Sequence, residues 1–137
     1  MLLIFVFAVI LVLATTLVHG MFLAPAIAWI EQRQLGKALT LLLVVQLIVV
    51  VHVVEAAFYG VGFAYGARLG LGGFKETDAM SWMDYLYFSV VNYTTLGLGD
   101  IYPTGHLRFL AGVEAVNGFL MISCSAAFVH KLMTVKK

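Results

Sequence analysis

Three long apolar runs constrain the fold of this 137-residue chain more than any other feature. They cover about residues 1–30, 38–65 and 106–133, and each is long enough for a bilayer-crossing helix, which needs about 20 apolar residues. Only 11% of the residues are charged, against about 25% in an ordinary soluble domain. The sequence therefore predicts an all-α membrane protein with three transmembrane helices. Its net charge of +1 gives no basic footprint for nucleic acid.

The first run has two interpretations. Residues 1–30 contain no Asp, Glu, Lys or Arg, and the small residues Ala24 and Ala26 resemble the end of a signal peptide. A spanning helix is preferred, because no basic segment precedes the apolar run and the run is long for a signal. Pro25 is expected to bend or end this helix.

A shorter helix is predicted between the second and third runs, over residues 81–94. Ser81 and Asp84 have the spacing of a capping box, which marks the start of a helix. About 13 residues at 1.5 Å each reach about 20 Å, less than the bilayer core of about 30 Å. The helix should therefore enter the membrane without crossing it. Irregular backbone at that depth is tolerated only where protein buries it or water lines it.

The irregular segment that follows reads Thr-Thr-Leu-Gly-Leu-Gly-Asp from Thr94 to Asp100. Gly97 and Gly99 allow positive φ at alternate positions without steric cost. Such alternation turns successive carbonyl groups toward one axis. Four copies of the segment around that axis would form rings of oxygens that replace the hydration shell of an ion.

This segment resembles the potassium-channel signature, commonly Thr-Val-Gly-Tyr-Gly-Asp, and Tyr102-Pro103 after it also resembles that pore-loop family. The resemblance covers about Ser81 to Phe128 and implies a re-entrant pore helix and filter in a tetrameric channel. The implied organisation is a peripheral transmembrane helix and cytoplasmic turn over residues 1–37 and a pore domain over 38–137, with an outer helix 38–65, a loop 66–80, a pore helix 81–94, a filter 95–100 and an inner helix 106–133.

The resemblance also implies the function, which is passive conduction of K⁺ by a homotetramer in lipid. It implies no cofactor and no metal other than monovalent K⁺. The implied ion-binding residues are Thr95, Leu96, Gly97, Leu98, Gly99 and Asp100. The residues expected to support the filter are Thr94, Val91, Tyr87 and Glu114.

The filter departs from the common pattern. Leu98 stands where Tyr is usual and Leu96 where Val is usual, and Leu98 cannot form the hydrogen bond of a Tyr hydroxyl. A weakly selective monovalent cation channel is therefore the alternative function. Val91 occupies a position where some relatives carry a buried Glu. Asp100 is expected at the outer mouth, where it would attract cations or tie the filter to the pore helix.

Two acidic residues fall within the apolar spans and should face protein or water, since a charge in the bilayer is costly. Glu114 is expected to reach the back of the filter or Asn117. Glu55 shares a helix face with His52, three residues before it. The two form either a structural pair near the outer interface or a pH-sensing pair.

Small residues recur along one face of the third span, at Ala111, Ala115 and Gly118. Such a stripe lets membrane helices approach each other, so a packing seam is one interpretation. Gly118 as a gating hinge of the inner helix is the other.

The distribution of basic residues predicts the orientation, because cytoplasmic segments carry excess Lys and Arg. The residues that share one side are Arg33, Lys37, Lys131, Lys136 and Lys137. That side is taken as cytoplasmic, which leaves the amino terminus and the filter outside a plasma or inner membrane. No span carries the regular arginines of a voltage sensor.

Two other classes of protein share features with this sequence. Gly97-Leu98-Gly99-Asp100 also resembles the Gly-x-Gly-Asp motif of intramembrane aspartyl proteases. That chemistry needs two carboxylates that share a proton, and none of the three spans carries an Asp in its interior. We therefore expect no enzyme. A non-conducting accessory subunit, or an association with an unknown regulatory subunit, stays open.

Overall fold

The computed structural model describes residues 2–75 and 79–134. Lys136, Lys137 and residues 76–78 of the predicted loop lie outside this part. The described chain forms α1 (Leu2–Val18), a π-helical stretch (His19–Leu23), α2 (Ala24–Gln32), α3 (Lys37–Arg68), β1 (Phe74–Lys75), α4 (Trp82–Tyr93), β2 (Tyr102–Pro103) and α5 (Leu107–Thr134). Three helices, Leu2–Gln32, Lys37–Arg68 and Leu107–Thr134, are long and apolar enough to cross a membrane. This confirms the predicted fold class.

The first span is one continuous helix from Leu2 to Gln32. The prediction that Pro25 ends a helix is therefore wrong. Pro25 lies in the first turn of α2, directly after the π-helical stretch His19–Leu23. A wider turn at this point changes which carbonyl faces the proline ring, so the chain continues as a helix where a regular α-helical turn would clash.

Helix α3 continues to Arg68, beyond its predicted end, although it contains several glycines. These glycines mark helix contacts and not a break. A Cβ added at Gly62 would lie 2.6 Å from the side chain of Leu11 in α1. A Cβ added at Gly66 would lie 2.7 Å from the side chain of Leu107 in α5. The glycines therefore allow the other two spans to approach α3 closely.

The short helix α4 begins with the predicted capping box, which is confirmed. The Ser81 amide donates to Asp84 Oδ2 at 2.8 Å, and the Asp84 amide donates to Ser81 Oγ at 3.2 Å. The backbone bond from Ser81 lowers the pKa of the exposed Asp84 carboxyl. With 12 residues, α4 reaches about 18 Å, so it is too short to cross a bilayer.

An aromatic core holds α4 against α3. The rings of Phe63 and Phe88 meet edge to face, with centroids 5.0 Å apart, and Phe74 packs against Phe88 at 5.1 Å. Phe74 also belongs to β1, which pairs antiparallel with β2 through Phe74 and Pro103. This pairing joins the segment before α4 to the segment after residue 100. It therefore holds together the two ends of the stretch that contains α4 and residues 94–100.

The first span packs against both α3 and α5. The side-chain nitrogen Nδ2 of Asn117 donates a hydrogen bond to Thr15 Oγ1 at 2.7 Å. Thr15 Oγ1 in turn donates to the carbonyl of Leu11 at 2.9 Å. Thr15 and Asn117 are both buried. A polar bridge inside an apolar contact sets the relative position of α1 and α5, since buried polar groups need their partners.

Candidate functional site

Backbone conformation alternates along the segment that follows α4. Thr95, Gly97 and Gly99 have φ values of +59°, +58° and +77°. Positive φ at every second residue turns neighbouring peptide groups so that their carbonyls share one side. Thr95 is not a glycine, so its left-handed conformation costs about 1–2 kcal/mol. Strain of this kind persists only where the surrounding structure maintains it.

The end of α4 holds the base of this segment. The amide of Thr95 donates to the carbonyl of Asn92 at 2.9 Å, and the amide of Leu96 donates to the carbonyl of Val91 at 3.0 Å. The Thr94 hydroxyl donates to the carbonyl of Val90 at 2.9 Å. The last carbonyls of a helix lack intrahelical donors, and here residues after the helix donate hydrogen bonds to several of these carbonyls. Val91 therefore supports this segment through its backbone carbonyl oxygen, which accepts the hydrogen bond from Leu96.

The far end of the segment is tied to α4 by one side-chain bond. Tyr87 Oη donates to Asp100 Oδ2 at 2.6 Å. This bond lowers the pKa of the Asp100 carboxyl and raises the pKa of the Tyr87 hydroxyl. Asp100 was expected either to attract cations or to tie the segment to the short helix. The bond to Tyr87 is a tie of the second kind, to α4.

Between these two attachments the segment faces away from the rest of the chain. Residues 94–100 are all exposed, with Leu96 at 64% and Leu98 at 58%. Among the described residues, no hydrogen bond is accepted by the carbonyls of residues 95–98. These oxygens are therefore free to contact water or an ion.

Behind α4 lies a buried carboxylate from α5. Glu114 is fully buried and accepts hydrogen bonds from the Ser89 hydroxyl and, at 2.5 Å, from the Asn92 side chain. It does not bond to Asn117, which the sequence left open as a partner and which bonds to Thr15. Although Val91 carries no carboxylate, α5 places one against α4.

Gly118 lies at the closest approach of α5 and α4. A Cβ on Gly118 would stand 2.1 Å from the carbonyl oxygen of Tyr93. Gly112, on another face of α5, has open space around it. The geometry of Gly118 is that of a packing seam between α5 and the end of α4.

The order of these helices is also that of a known protein family. A model of the ion-channel family matches residues 37–135, which cover α3, α4, residues 94–100 and α5. The chain belongs to this ion-channel family. Searches of curated proteins and of solved structures gave no match. The protein is thus an integral membrane channel protein whose first span precedes the matched region.

The channel also contains a buried polar cluster that sequence reasoning found only in part. His52 Nδ1 and His19 Nδ1 each donate to the Glu55 carboxylate at 2.9 Å. Tyr93 Oη donates to the same carboxylate at 2.5 Å, and His52 Nε2 pairs with Ser125 Oγ at 3.0 Å. We call these five residues the histidine cluster. It joins all three spans to the end of α4.

The position of the histidine cluster corrects one expectation. The pair of His52 and Glu55 does not lie near the outer interface, because both residues are near the middle of α3 (Lys37–Arg68). His19 was missed, since no local spacing connects it with residues more than 30 positions away. A usable indication was present, because a histidine in an otherwise apolar span has to find a polar partner.

Proposed function

We propose that the protein is a passive K⁺-selective channel whose filter is residues 95–100. The alternating positive φ at Thr95, Gly97 and Gly99 is the observation that carries the proposal. It turns the carbonyls of residues 95–98, which accept no hydrogen bond, to one side. There their oxygens replace the hydration shell of a cation. The negative end of the α4 dipole favours a cation at the same place.

One chain supplies only one wall of such a pathway, so we propose a homotetramer with the filter segments around the axis. The exposure of Leu96 and Leu98 supports this assembly, since two large apolar side chains are left without cover in a single chain. α5 lines the cavity below the filter in this assembly, and α3 and the first span face lipid. The amino terminus and the filter lie outside and Thr134 lies at the cytoplasmic end.

Leu98 is also the observation that favours the second candidate, a weakly selective cation channel. A Leu side chain gives no hydrogen bond to hold the filter diameter. K⁺ selectivity is nevertheless the better supported function, because the bond from Tyr87 to Asp100 fixes the outer end of the filter without help from Leu98. The base of the filter is fixed by the amide bonds to Val91 and Asn92.

We assign no catalytic role to Asp100. Proteolysis by aspartates needs two carboxylates in contact. Asp100 is engaged by Tyr87, whereas Asp84, the other aspartate in the described ranges 2–75 and 79–134, caps α4 through Ser81. The geometry around Asp100 therefore favours a structural role in the filter.

Ion flux and subunit count test this proposal together. The purified protein is reconstituted into liposomes loaded with K⁺, and the K⁺ efflux is followed with a proton ionophore as the charge carrier. The mass of the detergent-solubilised protein, corrected for bound detergent, gives the number of subunits. The proposal predicts a tetramer and a K⁺ efflux above that of empty liposomes. A tetramer without any flux would point to a non-conducting accessory subunit, and a stable monomer would contradict the filter.

A further inference from the structure

The histidine cluster brings together three side chains that bind metal ions in proteins. His19, His52 and Glu55 each offer one ligand atom, and these atoms lie within 4.8 Å of one another. Glu55 is fully buried and His19 nearly so. Ligands bound to one Zn²⁺ at about 2.0–2.1 Å lie roughly 3.3–3.5 Å apart in a tetrahedron. A shift of roughly 1 Å in side-chain position is enough to reach these separations.

We propose that His19, His52 and Glu55 form a binding site for a divalent transition-metal ion of the Zn²⁺ class. Two imidazole nitrogens and one carboxylate oxygen are a ligand set that suits Zn²⁺ and disfavours K⁺, Mg²⁺ and Ca²⁺, which take oxygen ligands. The site is separate from the filter, so it concerns a second kind of ion. It does not depend on the proposed selectivity for K⁺.

An unpartnered nitrogen supports this assignment independently. Nε2 of His19 is buried and has no hydrogen-bond partner in the described part of the chain. A buried polar atom without a partner is uncommon and calls for an explanation such as an ion. Because only its Nδ1 is engaged, by Glu55, the imidazole of His19 can turn to an ion at the loss of one hydrogen bond.

The surroundings of the ligands match the outer shell of a metal site. In such sites the second ring nitrogen of a ligating histidine donates to a neighbour, and ligating carboxylates are hydrogen-bonded in turn. His52 meets the first condition through Ser125 Oγ at 3.0 Å from Nε2. Glu55 meets the second through the Tyr93 hydroxyl at 2.5 Å. His52 and Glu55 are thus oriented before any ion arrives, and His19 is the ligand that moves.

A cavity adjoins the site. It has a volume of about 460 Å³, lies between α3 and α5, and is lined by His52 and Ser125 at one end. His130 and Met133, near the end of α5, line it as well. Of the three proposed ligands, His52 is the one that lines this cavity. A bound ion would join the first span to α3, because His19 belongs to the π-helical stretch of the first span.

Metal titration of the purified full-length channel tests the proposal. After treatment with a chelator, the detergent-solubilised channel is titrated with Zn²⁺, and the bound metal is measured by isothermal calorimetry and elemental analysis. We expect one Zn²⁺ per chain. His19→Gln and Glu55→Gln should each weaken binding at least tenfold, because even the loss of an outer-shell partner costs about 10–100-fold. His106→Gln, which changes an exposed histidine before α5, is the matched control and should keep the wild-type affinity.

A gain of function separates ligand loss from misfolding. In a Cys124→Ser background, His19→Cys places a soft thiolate in the site, which should favour Cd²⁺ and produce the ultraviolet absorption of a cadmium–thiolate bond. His106→Cys in the same background should show no such gain. The proposal is overturned if the folded wild-type channel binds no Zn²⁺, if His19→Gln and His106→Gln bind it equally, or if folded His19→Cys gains no affinity for Cd²⁺.

Discussion

The carbonyl oxygen of Tyr93 lies 2.1 Å from the point where a Cβ on Gly118 would stand. Only glycine allows the inner helix to approach the end of the pore helix this closely. Tyr93 is the last residue of α4, and Thr95 begins the segment with alternating φ. The contact between α5 and α4 therefore lies directly before the proposed filter.

Substitution of Gly118 should displace the pore helix. Gly118→Ala places a methyl group against the Tyr93 backbone, and overpacking of this kind costs about 1–3 kcal/mol. We expect a lower thermal unfolding midpoint in detergent and a strong loss of K⁺ flux. Gly112→Ala, on the same helix with open space around it, is the control and should leave both unchanged. Equal stability of the two variants, with an altered open probability only in Gly118→Ala, would favour the hinge interpretation.

Substitution of the filter glycines should stop conduction. No atom of the described residues of the same chain lies within 4 Å of a Cβ added at Gly97 or Gly99, so within one chain Gly97→Ala and Gly99→Ala act through backbone conformation. A left-handed conformation costs an ordinary residue about 1–2 kcal/mol in each copy. We expect each variant to assemble and to lose flux in liposomes. Full flux through both variants would remove the filter assignment.

Loss of the Tyr87 hydroxyl should loosen the outer end of the filter. Tyr87→Phe keeps the ring and removes the only described side-chain donor to Asp100. We expect faster decay of the current during sustained opening than in the wild type or in the control Tyr65→Phe, which changes an exposed ring. An identical decay in Tyr87→Phe and Tyr65→Phe would show that the bond does not hold the filter.

The effect of Tyr87→Phe should also depend on pH. The bond to Tyr87 places the pKa of Asp100 below its ordinary value of 3.8. A depressed carboxyl pKa means that the stabilisation is complete above 3.8 and is lost as the pH falls through the lower value. The difference in decay between wild type and Tyr87→Phe should therefore be constant through the neutral range and vanish at more acidic pH. If the difference in decay instead changed near neutral pH, a group other than Asp100 would be responsible for the pH dependence.

Removal of the Glu114 carboxylate should destabilise the helix bundle. Glu114→Ala removes the hydrogen bonds from Ser89 and Asn92 to the carboxyl group, at about 0.5–1.5 kcal/mol each, while both side chains keep a backbone carbonyl, of Ala56 and Ala111, as acceptor. Glu114→Gln retains one acceptor oxygen and should lose less stability. The midpoint of thermal unfolding measures both, with the exposed Glu31→Ala as control. A Glu114→Ala variant as stable as Glu31→Ala would show that the bonds behind the pore helix contribute nothing.

The sequence predicts the spans and the short helix well because these depend on local properties. Apolar length determines the three spans, and the spacing of Ser81 and Asp84 determines the start of α4. The outer helix is predicted to end at residue 65, but α3 continues through its glycines to Arg68. A glycine that permits close contact with another helix and a glycine that ends a helix look alike in the sequence, and only the neighbours Leu11 and Leu107 distinguish them.

Contacts between distant segments could not be predicted from spacing. Glu114 was expected behind the filter, but its donors Ser89 and Asn92 depend on how α5 crosses α4. His19 and Glu55 are 36 positions apart and meet only because the first span packs on α3. The requirement that a polar group in a span finds a partner predicts that such contacts exist, but the identity of the partner comes from tertiary packing.

Selectivity of the filter for K⁺ over Na⁺ is tested most directly by a reversal potential. The purified channel is inserted into a planar bilayer with K⁺ on one side and an equal concentration of Na⁺ on the other. Dehydration sites made by the carbonyls of residues 95–98 predict a potential displaced strongly toward the K⁺ equilibrium value. A potential near zero, with clear single-channel current, would contradict K⁺ selectivity and assign the same architecture to a nonselective cation channel.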